Sequence, residues 1–504
     1  MSSFLENENR RVIPRWREFH VTLALGELDC PSSNQPNARD PANLENRLLD
    51  WQEHRTRWFA ADLVGAALAT EAAQFLLAER PGVSPAVRSA ANRILNQRGV
   101  RPDVSTVYPE VAQKTYDRIH ALRLRLRDEP RNSIAWIDLA RQHTVLGHAE
   151  QASRAVRIAV NISPTNRFIL RCAARFLIHV RDLHGAHRLL RTAPSTPYDP
   201  WLTAAEIAVA SAANIQARFG KSGQKLFLSA DHSHFHTSEL ASALGTMELE
   251  YGKSRNARKL FNDSLRSPTE NAIAQAQWAS KKLTRWGIDL SAYKSPCTYE
   301  AKAWENFDRG LWDEALQGST DWLLDEPFST KAAALGSYIA STVMEDYTRA
   351  ERILKEGLIA SPNCAILRNN LAFVYGSMGR SQEAEQQIGM IHQATMTPTD
   401  EITVLATKGL ILFRKGIFEK GRELYRAAME KADRSSFDNH RARAAVYLAR
   451  EEILAKSPVA SEALQQAMEE CSRMSAPEFD LLSARLQAMT SWGGVDPSGQ
   501  CRGA

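Results

Sequence analysis

The stretch 133–166 constrains the fold more than any other part of this 504-residue chain. Trp136, Leu139 and Ala140 have the i, i+3, i+4 spacing of one buried helix face. Gly147 then ends the helix, because glycine adopts the left-handed conformation that a helix C-terminus needs, and Pro164 closes the stretch. Apolar residues at helical spacing predict a second helix in between: Ala152, Val156 and Ala159. The stretch therefore predicts two short antiparallel helices joined by a tight turn.

The order of residue types in this stretch resembles the tetratricopeptide repeat (TPR), a helix pair of about 34 residues. Pro130, Pro164 and Pro197 recur at nearly that period, and residues 365–398 give a second clear match. The matching residues there are Leu371, Ala372, Tyr375, Gly379, Ala384 and Ile388. The resemblance implies an all-α solenoid of stacked antiparallel helix pairs, a right-handed superhelix of roughly eight units with an inner groove.

The weaker parts of the pattern predict the domain organisation. The first 127 residues match the repeat poorly and are expected to form a helical capping domain or degenerate repeats; Pro14 is expected in the first turn of a short amphipathic helix there. The repeat pattern is interrupted at 212–237 and 287–298, so its continuity stays open. The expected regions are a helical N-terminal region (1–127), N-terminal TPR-like repeats (128–290), C-terminal TPR-like repeats with capping helices (291–490) and a disordered tail (491–504).

Composition and cysteine usage favour a cytoplasmic protein. Hydrophobic residues make up 44% and charged residues 24% of the chain, which is typical of a globular protein. Six cysteines occur without any C-x-x-C pair, which favours a reducing compartment. The longest apolar tract, 59–78, contains Asp62 and Glu71, so we expect no membrane span. The N-terminus carries no signal-peptide pattern.

The sequence contains little that predicts catalysis or a cofactor. The motifs G-x-S-x-G, H-E-x-x-H and G-x-G-x-x-G do not occur. Two G-K-S tripeptides, at Gly220 and Gly252, lack the earlier glycine of a phosphate-binding loop, since Ile215 and Met247 stand there. The segment 231–236, Asp-His-Ser-His-Phe-His, would present alternating imidazoles to Zn²⁺ if it were extended. A polar loop between repeats is the alternative, and we predict no enzyme activity, cofactor or metal site.

Candidate partner-binding residues follow from the TPR resemblance, in which fixed first-helix positions face the groove. In the N-terminal repeats these positions hold Arg141, Arg171, Arg175 and His179. Grouped guanidiniums favour an acidic peptide, a C-terminal carboxylate or a phosphate. The alternative is that these arginines pair with acidic residues of the repeats themselves: Asp138, Glu150 or Asp182.

The C-terminal groove is predicted to be more apolar. The same mapping places Ile366, Asn369, Phe373 and Phe413 there. The TPR subclass that clamps chaperone tails uses asparagine where this chain has Phe373, so the resemblance does not imply that partner. An amphipathic helix or an apolar extended segment fits such a surface, and ordinary packing between repeats is the alternative.

These patterns favour a non-catalytic scaffold or adaptor that binds protein partners through its groove, as a subunit of a larger assembly. The second hypothesis is a nucleic-acid-associated accessory subunit, for example in a bacterial genome-maintenance or defence complex. Its basis is the segment 81–200, which holds 18 arginines and one lysine against nine acidic residues. The sequence identifies neither the partner, nor the pathway, nor the oligomeric state.

Overall fold

The computed structural model describes residues 13–25, 48, 109–229, 232–283, 286–293, 295–393 and 396–492. Regular secondary structure in these ranges is helical throughout. The helices before residue 300 are α1 Phe19–Ala24, α2 Pro109–Asp128, α3 Ser133–Val145, α4 Ala149–Ile162, α5 Arg167–His179, α6 Leu183–Thr192, α7 Pro200–Ala212, α8 Gly220–Leu228, α9 His234–Glu250, α10 Ser254–Ser264, α11 Glu270–Ser280 and α12, which ends later, Tyr299–Asp308. Those that follow are α13 Trp312–Asp325, α14 Thr330–Tyr338, α15 Tyr347–Ala360, α16 Ala365–Ser377, α17 Ser381–Gly389, α18 Pro398–Arg414, α19 Phe418–Arg434, α20 Asp438–Leu454, α21 Ala460–Ser472 and α22 Pro477–Trp492.

The repeat is visible in how helices begin. Asn132 caps α3 by accepting a hydrogen bond from the Ala135 amide, and Asn166 caps α5 in the same way through Ile169. An asparagine oxygen at this position satisfies one of the amides that a helix leaves unpaired at its start. The same device thus opens successive helix pairs, which confirms the predicted register of the first two repeats.

The repeat is also visible in how the paired helices are joined. Gly147, at φ 71°, forms the turn of the first pair, as predicted. In the next pair Arg181 has φ 64° at the matching position, although it is not a glycine. A residue without glycine's freedom is strained there, so in that pair the packed helices impose the turn. Positive φ angles recur at later turns: Gly252, Gly310, Glu345, Gly379, Gly416 and Lys456.

The chain divides into two compact units. Among the described residues, the N-terminal unit holds those up to 301 and 324–328, and the C-terminal unit holds 302–323 and 329–492. Within each unit, the two helices of a pair pack together, and the first helix of each pair also packs against the first helix of the next. First helices are α3, α5, α7, α9 and α11 in the N-terminal unit and α14, α16, α18 and α20 in the C-terminal unit.

Small residues decide how closely the paired helices approach. Ala140 and Ala152 are completely buried between α3 and α4, as the sequence indicates. At the crossing of α18 and α19, a Cβ atom at Gly421 would lie 2.7 Å from Phe413 Cδ2 and 3.0 Å from the Gly409 oxygen. The two helix backbones are therefore in contact there, and only glycine fits.

Three local predictions need correction. Residues 13–18 are extended and the helix begins only at Phe19, because side chains of distant helices bind the backbone of this segment. The uncertain stretch 212–237 contains a short helix, α8. The repeat spacing predicts about two extra residues in the inner turn of the unit that contains Ala350; the structure instead has a π-helix, Ile339–Val343, that continues α14. The sequence also predicts helices at 44–78 and 85–97; apart from Leu48 these lie outside the described residues, as do residues 493–504 of the expected tail.

Candidate partner-binding surfaces

The extended segment 13–18 lies against the first helices of the N-terminal unit. Asn271 Nδ2 of α11 donates to the Ile13 oxygen at 3.0 Å, and Arg141 Nε of α3 donates to the Trp16 oxygen at 3.0 Å. At the far end, the Phe19 amide donates to Asp138 Oδ1 of α3 at 3.3 Å. We call this surface, formed by α3, α5, α9, α11 and residues 324–328 at the end of α13 and just after it, the N-terminal groove. The groove holds an extended peptide segment of its own chain.

Both arginines of the segment meet carboxylates in the groove. Arg15 Nη1 lies 2.8 Å from Glu326 Oε2, and Arg15 Nη2 also pairs with Glu300. Arg17 Nη1 lies 2.6 Å from Glu270 Oε1, and Arg17 Nη2 lies 2.8 Å from Asp325 Oδ2. Only 2% of the Arg17 side chain is exposed. Removing one member of such a buried ion pair strands the other charge away from water, which is strongly destabilising.

Trp16, between the two arginines, fills an aromatic pocket. It is 0% exposed; its ring centroid lies 6.2 Å from that of Phe176 and 5.5 Å from that of Phe328. The Phe176 contact is edge to face and the Phe328 contact is tilted; such ring contacts add to the stabilisation from burying apolar area. Its indole Nε1 is buried without a hydrogen-bond partner among the described residues. An unsatisfied buried donor costs about 1–3 kcal/mol, so the segment fits the groove imperfectly.

Glu326 is the electrostatic centre of the groove. Burial by itself would raise the pKa of Glu326, but Arg15, Arg175 and Arg17 hold it at about 2. Arg175 Nε lies 3.6 Å from Glu326 Oε1. Burial lowers the pKa of Arg175, Glu326 opposes that effect, and the like charge of Arg15 adds to it. Arg175 and the segment's Arg15 thus share one carboxylate.

The four residues predicted for this groove all lie in it or beside it. Arg171 Nη1 pairs with Glu239 Oε2 at 2.9 Å, and Arg141 Nη2 donates to the Asp325 oxygen at 3.0 Å. The Arg175 guanidinium lies 5.0 Å from the centre of the Phe328 ring, and His179 meets the same ring at 5.7 Å. The groove therefore carries both signs of charge. Its acidic residues come from α9, α11, the start of α12 and residues 324–328, which the first-helix mapping did not identify.

The histidine segment after residue 231 is not extended. Ser233 caps α9, and His234 and His236 lie in its first turn. Trp201 Nε1 donates to His236 Nδ1 at 3.1 Å; burial, with a contribution from Arg167, lowers the pKa of His236 to about 4. The residues that the structure describes contain no group of three potential metal ligands. Asp231 lies outside them.

Four of the 18 arginines in the segment 81–200 lie on α2: Arg118, Arg123, Arg125 and Arg127. Arg118, Arg125 and Arg127 are exposed, and each has an acidic neighbour: Glu18, Glu129 and Asp128 respectively. Exposed pairs of this kind contribute little to stability, and they reduce the positive charge available to phosphates.

The residues predicted for the C-terminal groove fall into two environments. Phe413 is buried inside its own helix pair, against Phe418 and Tyr425. Ile366 is half-buried at the start of α16, and Asn369 and Phe373 are buried on the same helix. Phe373 lines a cavity together with residues of α18, α19 and α20: Ile402, Thr403, Ala406, Thr407, Tyr425, His440, Arg443, Ala444 and Tyr447. We call the surface formed by α16, α18 and α20 the C-terminal groove.

Sequence reasoning missed Arg15, Trp16, Arg17 and Arg443. The pattern Arg-Trp-Arg-Glu was visible, but it fits an amphipathic helix equally well. Its carboxylate partners lie more than 250 positions away, so nothing local distinguished an extended ligand from a helix. In the described residues no helix is long and apolar enough to cross a membrane.

The solved structures similar to the chain share only 11–15% sequence identity with it. No protein-family model matches the chain, and no curated protein matches it. Among solved structures, the chain is similar to yeast Tom70 (TM-score 0.32, 11% identity, 77% of this chain and 94% of that chain). A human IFIT1 dimer with PPP-AAAA gives a TM-score of 0.33 and 13% identity, over 91% of this chain and 96% of that chain. A tetratricopeptide repeat protein from Parabacteroides merdae gives a TM-score of 0.26 and 15% identity, over 53% of this chain and 93% of that chain.

TM-scores and sequence identities this low give no information about the function of this protein. The fold itself follows from the described helices, their paired packing, and the recurrence of caps and turns. The protein is a helical-repeat protein with a TPR-like fold.

Proposed function

We propose that the protein is a non-catalytic, cytoplasmic scaffold that binds polypeptide partners as a subunit of a larger assembly. Its N-terminal groove takes an extended segment with the pattern arginine, aromatic, arginine. The supporting observation is the chain's own segment 13–18, which lies in that groove with Trp16 fully buried between Phe176 and Phe328. In the free protein the segment occupies the site, and a partner of the same pattern displaces it.

The chemistry of the groove supports this class of ligand. In an extended chain, residues two apart point to the same side. Arg15 and Arg17 therefore reach the adjacent carboxylates of Asp325 and Glu326, while Trp16 faces the aromatic pocket. A peptide of this pattern needs no change in the groove.

Two features of the occupied groove support displacement. The buried Trp16 Nε1 lacks an acceptor, so a competing segment with phenylalanine there avoids that cost. When Arg15 leaves, Arg175 keeps Glu326 as its counter-ion at 3.6 Å, so one carboxylate is not stranded. The acidic peptide predicted from Arg141, Arg171, Arg175 and His179 is the competing ligand for the emptied groove.

A labelled peptide of residues 13–25 tests the proposal by fluorescence anisotropy. The full chain carrying Trp16→Ala retains a cavity where the indole lay, which weakens its own segment. We expect the peptide to bind this variant at least about tenfold more tightly than the wild type, and to raise its Tm. Arg118→Ala, on α2, removes an exposed ion pair with Glu18 of the segment; it is the matched control and should behave as the wild type.

Two further peptides separate the alternatives. The peptide with Arg15→Glu and Arg17→Glu should not bind, and an acidic peptide of equal length should not compete. Preferential binding of the acidic peptide would transfer the proposal to the groove arginines. No binding of any peptide to a Trp16→Ala chain that is folded by circular dichroism rejects the N-terminal groove as a partner site. If that variant does not fold, Phe19→Ala weakens the segment at its other aromatic contact, with Phe168.

A further inference from the structure

The C-terminal groove contains a cavity that is lined in part by small residues. Thr403, Ala406 and Thr407 of α18 form the floor. Phe373 of α16 and Tyr447 of α20 meet edge to face, with ring centroids 5.1 Å apart. The cavity encloses about 350 Å³, a volume that includes the open space at its mouth. It is too small for a nucleotide or a cofactor and matches the tip of one side chain.

One charged side chain, that of Arg443, lies in the wall of this mostly apolar cavity. Arg443 lines the cavity and is 2% exposed. Its Nε donates to the Tyr338 hydroxyl at 3.1 Å, its Nη2 pairs with Glu478, and the Tyr338 hydroxyl donates to Glu478 at 2.6 Å. These contacts fix the guanidinium in place. Its Nη1, in contrast, is buried without a hydrogen-bond partner in the described part of the chain.

A second unsatisfied side chain lies on the same groove. Asn369 is one turn before Phe373, and residues four apart share a helix face. The side chain is 1% exposed, and neither its amide nitrogen nor its amide oxygen has a hydrogen-bond partner within the described ranges. Most buried polar groups in proteins are hydrogen-bonded, so one guanidinium nitrogen and one side-chain amide left unsatisfied on helices of the same groove indicate an absent partner.

The surroundings limit what that partner is. An ordered water needs two to four polar contacts. The surface that the lining residues expose to the cavity is almost entirely apolar. The Thr403 and Thr407 hydroxyls already donate to carbonyl oxygens of their own helix. Glu478 neutralises Arg443, so a second carboxylate would add an uncompensated charge. A neutral carbonyl joined to an apolar group satisfies both the donor and the walls.

We propose that this cavity binds one apolar side chain of an extended partner polypeptide, and that Arg443 Nη1 donates to a main-chain carbonyl beside that side chain. Asn369 offers a donor and an acceptor to the same main chain. The inference rests on the proposed scaffold function but not on the N-terminal groove, so failure of the 13–25 peptide leaves it standing.

N-acetyl-L-leucinamide is the probe, since it has an apolar side chain flanked by two neutral carbonyls. N-acetylglycinamide, with the same carbonyls and no side chain, is the matched ligand control. Titration of the full wild-type chain, followed by saturation-transfer NMR, should give binding of the leucine probe with a Kd on the order of 1 mM, as expected for a fragment. The glycine probe should bind at least about tenfold more weakly.

Two leucine substitutions test the location. Ala406→Leu fills the cavity from its floor, and Ala427→Leu adds the same group at an exposed position of α19. We expect the first to reduce binding at least about tenfold and the second to leave it unchanged. Equal binding to both variants overturns the proposed site.

A soaked crystal of the wild-type chain gives a readout that is independent of the variants' folding. The expected result is probe density in the cavity that Phe373, Thr403 and Tyr447 line, with a probe oxygen within hydrogen-bond distance of Arg443 Nη1. Density for ordered water alone beside Arg443, at a probe concentration that saturates the NMR titration, refutes the proposal.

Discussion

Arg17 and Glu270 are 253 positions apart in the chain, yet Arg17 Nη1 donates to Glu270 Oε1 at 2.6 Å. Asp325 binds the other side of the same guanidinium through Nε and Nη2. Arg17 thus links the start of α11 to residues 324–328. The N-terminal groove is held together across its width by the peptide that occupies it.

Substitution of Arg17 by alanine is therefore expected to destabilise the protein strongly. Two buried carboxylates lose their counter-ion, and the loss of one partner from a buried pair costs about 3–5 kcal/mol. Urea denaturation followed by circular dichroism measures the effect. Arg118→Ala removes an exposed pair with Glu18, 52% exposed at the arginine, and should cost at most about 1 kcal/mol. Equal costs for the two variants would contradict the burial of Arg17.

Gly421→Ala tests the helix crossing in the C-terminal unit. Alanine is the better helix former by about 1 kcal/mol, but its Cβ would meet Phe413 Cδ2 at 2.7 Å. We expect a net loss of about 1–3 kcal/mol from overpacking, measured as a lower Tm. Gly389→Ala is the control, because its Cβ would meet nothing within 4 Å. A Tm that rises in both variants would show that the crossing is looser than described.

Asp138→Asn should change how stability depends on pH. Burial, and then the charge of Glu18, raises the pKa of Asp138 to about 7, against the opposing Phe19 amide and Arg141. A raised folded-state pKa means that the folded protein binds the proton more tightly. The stability contributed by this group is full below about pH 4 and is lost as the pH rises through about 7.

Urea denaturation of both proteins between pH 5 and pH 8.5 measures the difference. The wild type should lose stability relative to Asp138→Asn by at most about 1.4 kcal/mol per pH unit below pH 7, and no further above it. Asparagine keeps an acceptor for the Phe19 amide. Parallel stability curves for the two proteins would place the pKa of Asp138 near its ordinary value.

The nucleic-acid hypothesis predicts salt-sensitive binding, and the scaffold proposal does not. The exposed arginines Arg118, Arg125 and Arg127 of α2 have acidic neighbours. We expect only weak binding to single-stranded DNA or RNA of about 30 nucleotides at low salt, since these neighbours offset part of the positive charge on α2. Anisotropy with labelled oligonucleotides measures this. Tight binding that weakens steeply with salt would favour the nucleic-acid function.

The helix pairs could be predicted because their determinants are local. Gly147, Ala140 and Ala152 specify a turn and a close approach within one repeat. The repeat pattern is weaker where helix packing imposes a turn that no glycine marks. Arg181 is an example: it has φ 64° at the turn position that glycine holds in the first pair. The repeat period alone does not show such substitutions.

The candidate sites could be predicted only in part, for a physical reason. First-helix positions identified Arg141, Arg175 and Phe373, since helix geometry fixes the face on which they lie. Whether a face is open, filled or paired depends on residues far away in the chain. The periodicity around Trp16 fits a helix, and only its distant carboxylate partners select the extended form.

The extended segment also affects the order of events during synthesis. Asp325 follows Arg17 by 308 positions, which at about 5–20 residues per second separates their translation by roughly 15–60 s. During that interval the repeats from α3 onward are made while Trp16 and Arg17 lack part of their binding site. The N-terminal half of this protein therefore reaches its final state only after the ribosome has passed residue 328, and a nascent chain released earlier leaves an arginine-tryptophan segment open to chaperones.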